Sequence, residues 1–344
     1  MKKLIKIAGM FLLVAAVLAG GIGYYIYNRI YDDNVLNYKS EYELFIPSNA
    51  NYDDVLEILQ RDSILIDFES FKWVAVEMNY PNRVHPGRYL IKDHWGNRKI
   101  VSQLRLGEQN PVKVVINKFR TRELLAGHVS RFIEADSLEL LHLLTDSAEL
   151  AARGLTYDNA FGLIIPNTYE LFWNTDASTF LGKMKKEYHR FWNSSRVKLA
   201  EEKKLTPAEA IVVASIVEEE SNKKDELRRI AGVYLNRLQK GIKLQADPTV
   251  RYAIGNFELQ RILNVHLNYD SPYNTYVYKG LPPGPICTPS IATIDAVLNA
   301  EDHDYIFFCA KPDFSGYHVF AKTLSQHNKN ARNFHRALNE RNIK

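Results

Sequence analysis

The sequence predicts an α+β protein in three parts: an N-terminal transmembrane helix, a small α/β domain, and a mixed α+β domain with a buried central helix. Three observations carry that prediction. Ile7–Tyr27 is free of charged residues. Residues 42–112 alternate between short strand-like and helix-like patterns. Ala210–Val217 sets apolar or small residues on every side of a helical wheel, the pattern of a helix enclosed by its own domain.

The chain of 344 residues exceeds one average domain, so two folded units and an additional segment are expected. The apolar fraction of 46% and charged fraction of 24% are those of a globular protein. The net charge of +4 arises entirely in residues 1–31, which hold Lys2, Lys3, Lys6 and Arg29 and no acid. The remainder is balanced, which argues for membrane topology and against nucleic-acid binding. Cys287 and Cys309 are the only cysteines. One pair makes no disulfide scaffold, and two unpaired thiols in or near the core are expected.

As a helix, the 21 residues Ile7–Tyr27 span roughly 31 Å, matching a hydrocarbon core of about 30 Å. Lys2, Lys3 and Lys6 precede this run and Asp32 and Asp33 follow it. The positive-inside rule then leaves the N-terminus in the cytoplasm and the chain beyond about residue 31 outside. A cleaved signal peptide is the competing reading. The apolar run exceeds the usual h-region of about 7–15 residues, and Tyr24, Tyr25 and Tyr27 stand where an interfacial belt falls. An uncleaved anchor over residues 1–31 is therefore expected.

In residues 42–112, Tyr42–Pro47 alternates as a strand. Asn51 can cap a helix carrying Val55, Leu56, Ile58 and Leu59. A second helix covers Phe68–Glu77, and Gly87–Ile91 reads as a strand. Asn97 can cap a third helix, closed by Gly107. This unit is too small for an enzyme cleft and suits a binding or spacer module. Residues 113–344 form the larger domain, opened by a strand over Val112–Ile116. Thr121 starts a helix with Leu124, Leu125, Val129 and Phe132 on one face. Leu138–Ala152 is largely helical, Ile164–Tyr169 is an apolar-to-turn segment, and Phe180–Trp192 is an amphipathic helix with Ser194–Lys204 as its polar continuation or a linker. Thr206, Pro207 and Glu209 form a capping-box helix start. A further helix runs from about Lys224 to Lys240 and stops at Gly241. Beyond residue 243 the chain is turn-rich, the kind of loop that carries function on a rigid frame.

The chemistry converges on Glu218, which ends the apolar run Ile211–Val217. A carboxyl group at the end of a buried helix is costly unless it is used. Neighbours on a helix differ by about 100° in direction, so Glu218 lies near the Ile211, Ala214 and Ser215 side, with Glu219 and Glu220 elsewhere. Desolvation, the negative helix terminus and two adjacent acids favour its protonated form, which suits proton donation to a glycosidic oxygen. An acid run that merely faces water is the bland alternative. Downstream, Gln245, Asp247 and Thr249 stand in a polar stretch able to hydrogen-bond acetamido or hydroxyl groups. Tyr273, Asn274, Thr275 and Tyr276 offer stacking faces and polar groups, and core packing is the alternative for the tyrosines. Gly280–Pro285 is a rigid turn that either lines a cleft or simply connects. His318, His327 and Asn328 are structural hydrogen bonders or ligands for a lactyl group or peptide.

Four ordered segments, Ala214–Ser221, Leu244–Val250, Ser271–Tyr276 and Gly280–Ile286, together resemble the YceG-like endolytic murein transglycosylases (the MltG family). The likeness covers roughly residues 42–344 and is densest over 206–328. It implies that 42–112 is a LysM-like domain and that the catalytic glutamate is the acid directly after Ala214–Val217, namely Glu218. The candidate substrate-binding residues are Gln245, Asp247, Thr249, Tyr273, Asn274 and Thr275, together with His327 and Asn328, which resemble the family's closing His-Asn segment. The implied reaction is cleavage of nascent peptidoglycan strands between N-acetylmuramic acid and N-acetylglucosamine. It leaves a 1,6-anhydro-muramic end outside the cytoplasmic (inner) membrane, on its periplasmic side. Glycan strands are the implied partner, with peptidoglycan synthases (penicillin-binding proteins) beside them. Phe161 and Asn167 replace acids usual in the family, and Gln326 stands where an acid is common.

Such a reaction needs one acid, no cofactor and no metal, whereas ordinary glycosidases need two carboxyl groups. A two-carboxylate hydrolase using Asp247, and a non-catalytic glycan-binding scaffold, are the rival readings. A serine or cysteine hydrolase is disfavoured because no nucleophile elbow is present. The ten histidines form no HExxH pair, which argues against a metalloenzyme.

Overall fold

Alternation along two short segments produces the first sheet. In the computed structural model, which describes residues 2–36, 41–259 and 261–341, strands β1 (Tyr42–Ile46) and β2 (Gly87–Ile91) pair antiparallel. Leu44 stands opposite Tyr89 and Ile46 opposite Gly87. The outer ends of the first and third expected regions, residue 1 and residues 342–344, lie outside the described residues, as does the Lys2 side chain.

The chain divides into two units. The first runs as far as Lys113 and takes in Phe132–Glu134 and Glu170–Thr175. It begins with helix α1 (Lys2–Tyr31), whose residues Lys3–Tyr31 form one helix long and apolar enough to cross a membrane. Between β1 and β2 lie α2 (Tyr52–Arg61) and α3 (Phe68–Glu77), and α4 (Asn97–Leu106) follows. Leu44, Ile46, Tyr89 and Ile91 point inward from the sheet against Val55 and Leu59 of α2, Phe71 and Val74 of α3, and Ile100 and Leu104 of α4. Asn51 caps α2 in a capping box with Asp54. Asn97 is no cap. Gly96 holds that position, and the Asn97 side chain is buried, donating to the Arg29 carbonyl at 2.9 Å and accepting from Asn34 at 2.6 Å. Gly107 ends α4 in the left-handed region, as expected.

The second unit holds Val114–Arg131, Ala135–Tyr169 and the chain from Asp176 onward. Strand β3 (Val112–Ile116) pairs with β4 (Asn167–Leu171). Between them come α5 (Arg122–Val129), α6 (Ser137–Thr145), α7 (Ser147–Ala152) and α8 (Tyr157–Ala160). The helical run expected over Leu138–Ala152 is broken at Asp146, which ends α6 and caps α7 by accepting from Glu149 N at 2.8 Å. Then follow α9 (Ala177–Phe191) and α10 (Ser194–Glu202), the latter a separate helix because Asn193 caps it. Helix α11 (Pro207–Glu220) starts at the expected Thr206–Glu209 capping box, and all eight residues Ala210–Val217 are buried. It packs against α10, α12 (Leu227–Gln239), α13 (Asp247–Ile254) and α15 (Ile291–Leu298), with α14 (Asn264–Leu267) between the last two.

The turn-rich reading of residues after 243 missed regular structure. Asp247 opens α13, with Pro248 in its first turn. An antiparallel pair, β5 (Phe307–Ala310) and β6 (His318–Ala321), leads into α16 (Leu324–Glu340). Cys287 is fully buried and Cys309 half-buried, and both are free.

The loop Gly280–Pro285 packs tightly. A Cβ on Gly284 would lie 2.4 Å from the Asp158 carbonyl oxygen and 3.0 Å from the Tyr273 hydroxyl. That hydroxyl donates to Asp158 Oδ1 at 2.7 Å. Gly284→Ala is expected to cost about 1–3 kcal/mol through overpacking, read as a lowered urea midpoint with an unchanged slope.

Candidate active site

The end of α11 carries three consecutive glutamates, and the 100° step along a helix sends them to three environments. Glu218 points to the N-terminus of α15. Its Oε2 accepts from Ser290 N at 3.3 Å, from Ser290 Oγ at 2.9 Å and from Thr293 Oγ1. A carboxylate at a helix N-terminus is favourably placed for the backbone N–H groups and the dipole. Glu219 lies in a basic corner. Arg120 grips it with Nε at 3.1 Å and Nη2 at 2.8 Å, and Lys118 Nζ lies at 3.2 Å. Burial pushes its pKa up, but the hydrogen bonds and charges of Arg120 and Lys118 outweigh burial and hold it below the usual value.

Glu220 alone of the three faces a cavity of about 400 Å³. Tyr234 of α12 donates its hydroxyl to Glu220 Oε1. Although Glu220 keeps some exposure at the cavity wall, desolvation is the largest influence on its carboxyl group. Desolvation pushes the pKa up to about 7 against the Tyr234 hydrogen bond, with the Asp247 charge adding to the rise. Glu220 therefore keeps its proton to a higher pH than an ordinary glutamate.

The cavity is built by the second unit. One wall is α12, with Val233, Tyr234 and Arg237. Arg237 is buried and clamps the next turn. It donates to the Lys243 carbonyl at 2.8 Å, to the Ile306 carbonyl at 2.6 Å and to Gln245 Oε1. Gln245 has φ +52°, a left-handed conformation uncommon outside glycine. Gln245 N donating to the Thr275 carbonyl at 3.1 Å and the Arg237 clamp hold it there. Asp247 accepts from the Tyr276 hydroxyl at 2.6 Å. β5 brings Phe307 and Phe308, and α16 brings Leu324, His327 and Asn328.

Of the residues expected to bind substrate, Gln245, Asp247, His327 and Asn328 meet in this cavity, joined by Tyr276. Thr249 and Thr275 do not. Both are buried, with hydroxyls 2.8 Å apart, and they engage the Ala246 carbonyl and amide. Asn274 is also buried, donating to the Leu267 and Tyr269 carbonyls. These three shape the loop rather than face the cavity. Tyr273 packs on Tyr252 with ring centres 4.8 Å apart and reaches Asp158, outside the cavity lining. His318 pairs instead with buried Glu226, its Nδ1 3.0 Å from Oε2. Tyr234 and Arg237 were missed as site residues. Tyr234 sits at an apolar helical position, but the unusual arginine on the same buried face was a visible signal.

The YceG-like family profile matches residues 44–333. The chain belongs to the YceG-like family. A Bacillus subtilis (strain 168) protein named endolytic murein transglycosylase is 36% identical over 182 residues, covering 52% of this chain and 49% of its own length. A Streptococcus pneumoniae protein of the same name (serotype 2, strain D39) is 26% identical over 359 aligned residues, covering 93% of this chain and 63% of its own length. This YceG-like chain thus spans about half to two-thirds of the length of those relatives. The crystal structure of a YceG-like protein from Listeria monocytogenes superposes with a TM-score of 0.57 at 27% identity, covering 85% of this chain and 99% of that one.

Proposed function

We propose that this YceG-like protein is an endolytic peptidoglycan lytic transglycosylase, with Glu220 as its acid and then its base. The observation that carries the reading is a carboxyl group with a pKa near 7 facing a cavity lined by Gln245, Asp247, Tyr276, His327 and Asn328. The names of the B. subtilis and S. pneumoniae relatives agree with it. Protonated Glu220 gives its proton to the oxygen linking N-acetylmuramic acid to N-acetylglucosamine, and the C1–O bond breaks. The muramic C6 hydroxyl then attacks C1, and its proton returns to Glu220. The result is a 1,6-anhydro end, with no water consumed. The internal nucleophile exploits proximity. Asp247, oriented by Tyr276, is the group in the cavity suited to face the positive charge that develops at C1. Glu218, the acid that family resemblance indicates, has a structural role in this reading, at the N-terminus of α15.

Asp247 in the same cavity also supports a second reading, a hydrolase that uses it to activate water. The full chain in detergent, incubated with peptidoglycan and analysed by mass spectrometry, separates the two. Anhydro-ended fragments are expected. Fragments about 18 Da heavier, from added water, would establish hydrolysis. No fragments would favour a glycan-binding scaffold.

The first unit supports a LysM-like module over residues 42–112 through its strand–helix–helix–strand order and antiparallel pairing. Helix α1 serves as a single-pass anchor, with Lys3 and Lys6 on the cytoplasmic side and the catalytic domain (113–344) outside. Partnership with peptidoglycan synthases belongs to the same proposal and rests on the family resemblance alone.

A further inference from the structure

We infer that the part of the cavity at His327 and Phe307 is a subsite for a sugar acetamido group, with the His327 Nε2–H donating to its carbonyl and its methyl group resting on the apolar wall beside it. The inference rests on the transglycosylase reading and adds a specificity-determining residue to it.

His327 lies nearly parallel to Phe307, with ring centres 5.1 Å apart and planes 19° apart. Its Nδ1 is buried and has no hydrogen-bond partner among the described residues. Burial, followed by the positive charge of Arg237, holds its pKa below the usual value, so the ring is neutral in the working range. A neutral imidazole carries one N–H. A buried N–H with no acceptor loses more than a buried lone pair with no donor, because the N–H forfeits a strong interaction with water. The proton therefore belongs on Nε2. Nδ1 is shut off from solvent, so Nε2 is also the only ring nitrogen available to the cavity.

The surroundings choose the acceptor. Phe307, stacked on the His327 ring, and Leu324, exposed on the same helix, line the cavity and give this donor an apolar wall. Sugar hydroxyls gain nothing from such a wall. A methyl-bearing amide satisfies both sides at once, and the acetamido group is the one on every ring of the strand.

The test uses the full chain in detergent and defined strands, either fully N-acetylated or N-deacetylated at glucosamine, with kcat/KM as the readout. Wild type is expected to lose on the order of tenfold on deacetylated strands, the worth of one hydrogen bond with its methyl contact. On acetylated strands His327→Ala and His327→Asn should lose a similar factor. His327→Gln should recover most of it, since its amide nitrogen reaches the Nε2 position and that of Asn does not. His327→Ala should be indifferent to deacetylation. The wild-type comparison of the two strands stands even if a variant folds poorly. Wild-type indifference to deacetylation, additive losses, or a Gln variant no better than Ala would overturn the subsite while leaving the reaction intact. A dependence on the muramic lactyl amide instead of the acetamido group would also overturn it. Failure of wild type to cleave acetylated strands would overturn the transglycosylase reading and the subsite with it.

Discussion

Glu220→Gln is expected to lower the release of anhydro-ended fragments by about 10²–10⁴-fold, the range for losing a general acid. Gln keeps the size of the side chain and still accepts from Tyr234 through its carbonyl oxygen. It cannot deliver a proton, so the substitution removes chemistry rather than shape. Glu218→Gln should behave differently. Its Oε2 takes hydrogen bonds from Ser290 and Thr293 at the start of α15, so the loss expected is about 1 kcal/mol of stability, with cleavage retained. Glu219→Gln removes the anion that faces Arg120 and Lys118, leaving two cations crowded at a partly buried site. Its effect should appear first in stability. The three variants, assayed side by side with melting curves as controls, separate the roles. Loss of cleavage in Glu218→Gln, with Glu220→Gln active and both folded, would return the acid to Glu218.

The sequence points to the end of α11 for the acid, and the proposed choice of Glu220 over Glu218 rests on packing that the sequence does not show, for a physical reason. Every residue from Ala210 to Val217 is buried, so the apolar pattern has no preferred face and gives no direction to the three glutamates after it. Which glutamate meets the cavity depends on where α12, α13 and α16 pack, and those contacts join residues far apart in the chain. The polar residues after 243 show the same limit. Gln245 and Thr249 look alike as candidates, yet one reaches the cavity and the other is used up inside a turn. A sequence shows which groups can hydrogen-bond, while the fold decides whether backbone or ligand receives them. Local signals fared better. The Thr206 capping box, the Asn51 cap and the Gly107 stop each depend on neighbours within four residues, and each stands in the structure. Asn97 failed as a cap because Arg29 and Asn34, over sixty positions away, claim its side chain.

Glu220 also ties activity to stability. Its pKa in the folded protein is about 7, above an ordinary value of 4.5, because the fold desolvates it. The unfolded chain therefore gives up this proton more readily than the folded one. The folded state has the full benefit of protonated Glu220 below about pH 4.5, and loses it progressively as pH rises through 7. Between pH 5 and 8 the loss is about 2–3 kcal/mol at one pKa unit per 1.36 kcal/mol, less where solvent reaches the group. Gln cannot ionise, so Glu220→Gln is expected to match wild type near pH 5 and to become the more stable protein by pH 8. The groups facing Glu220 are Tyr234, Asp247, Arg251 and Glu219, and all four remain in the variant, so their own titration largely cancels in the difference. Urea melts of both proteins at half-unit steps measure it directly. A difference that stays flat across this range would mean that Glu220 is solvated in the folded protein, and it would then lack the raised pKa that proton donation at neutral pH requires. A difference that opens with pH would show why the chain tolerates a destabilising carboxyl group at the end of its most buried helix. The same desolvation that weakens the fold as pH rises through 7 would, in the proposed reaction, keep a proton on Glu220 for the glycosidic oxygen.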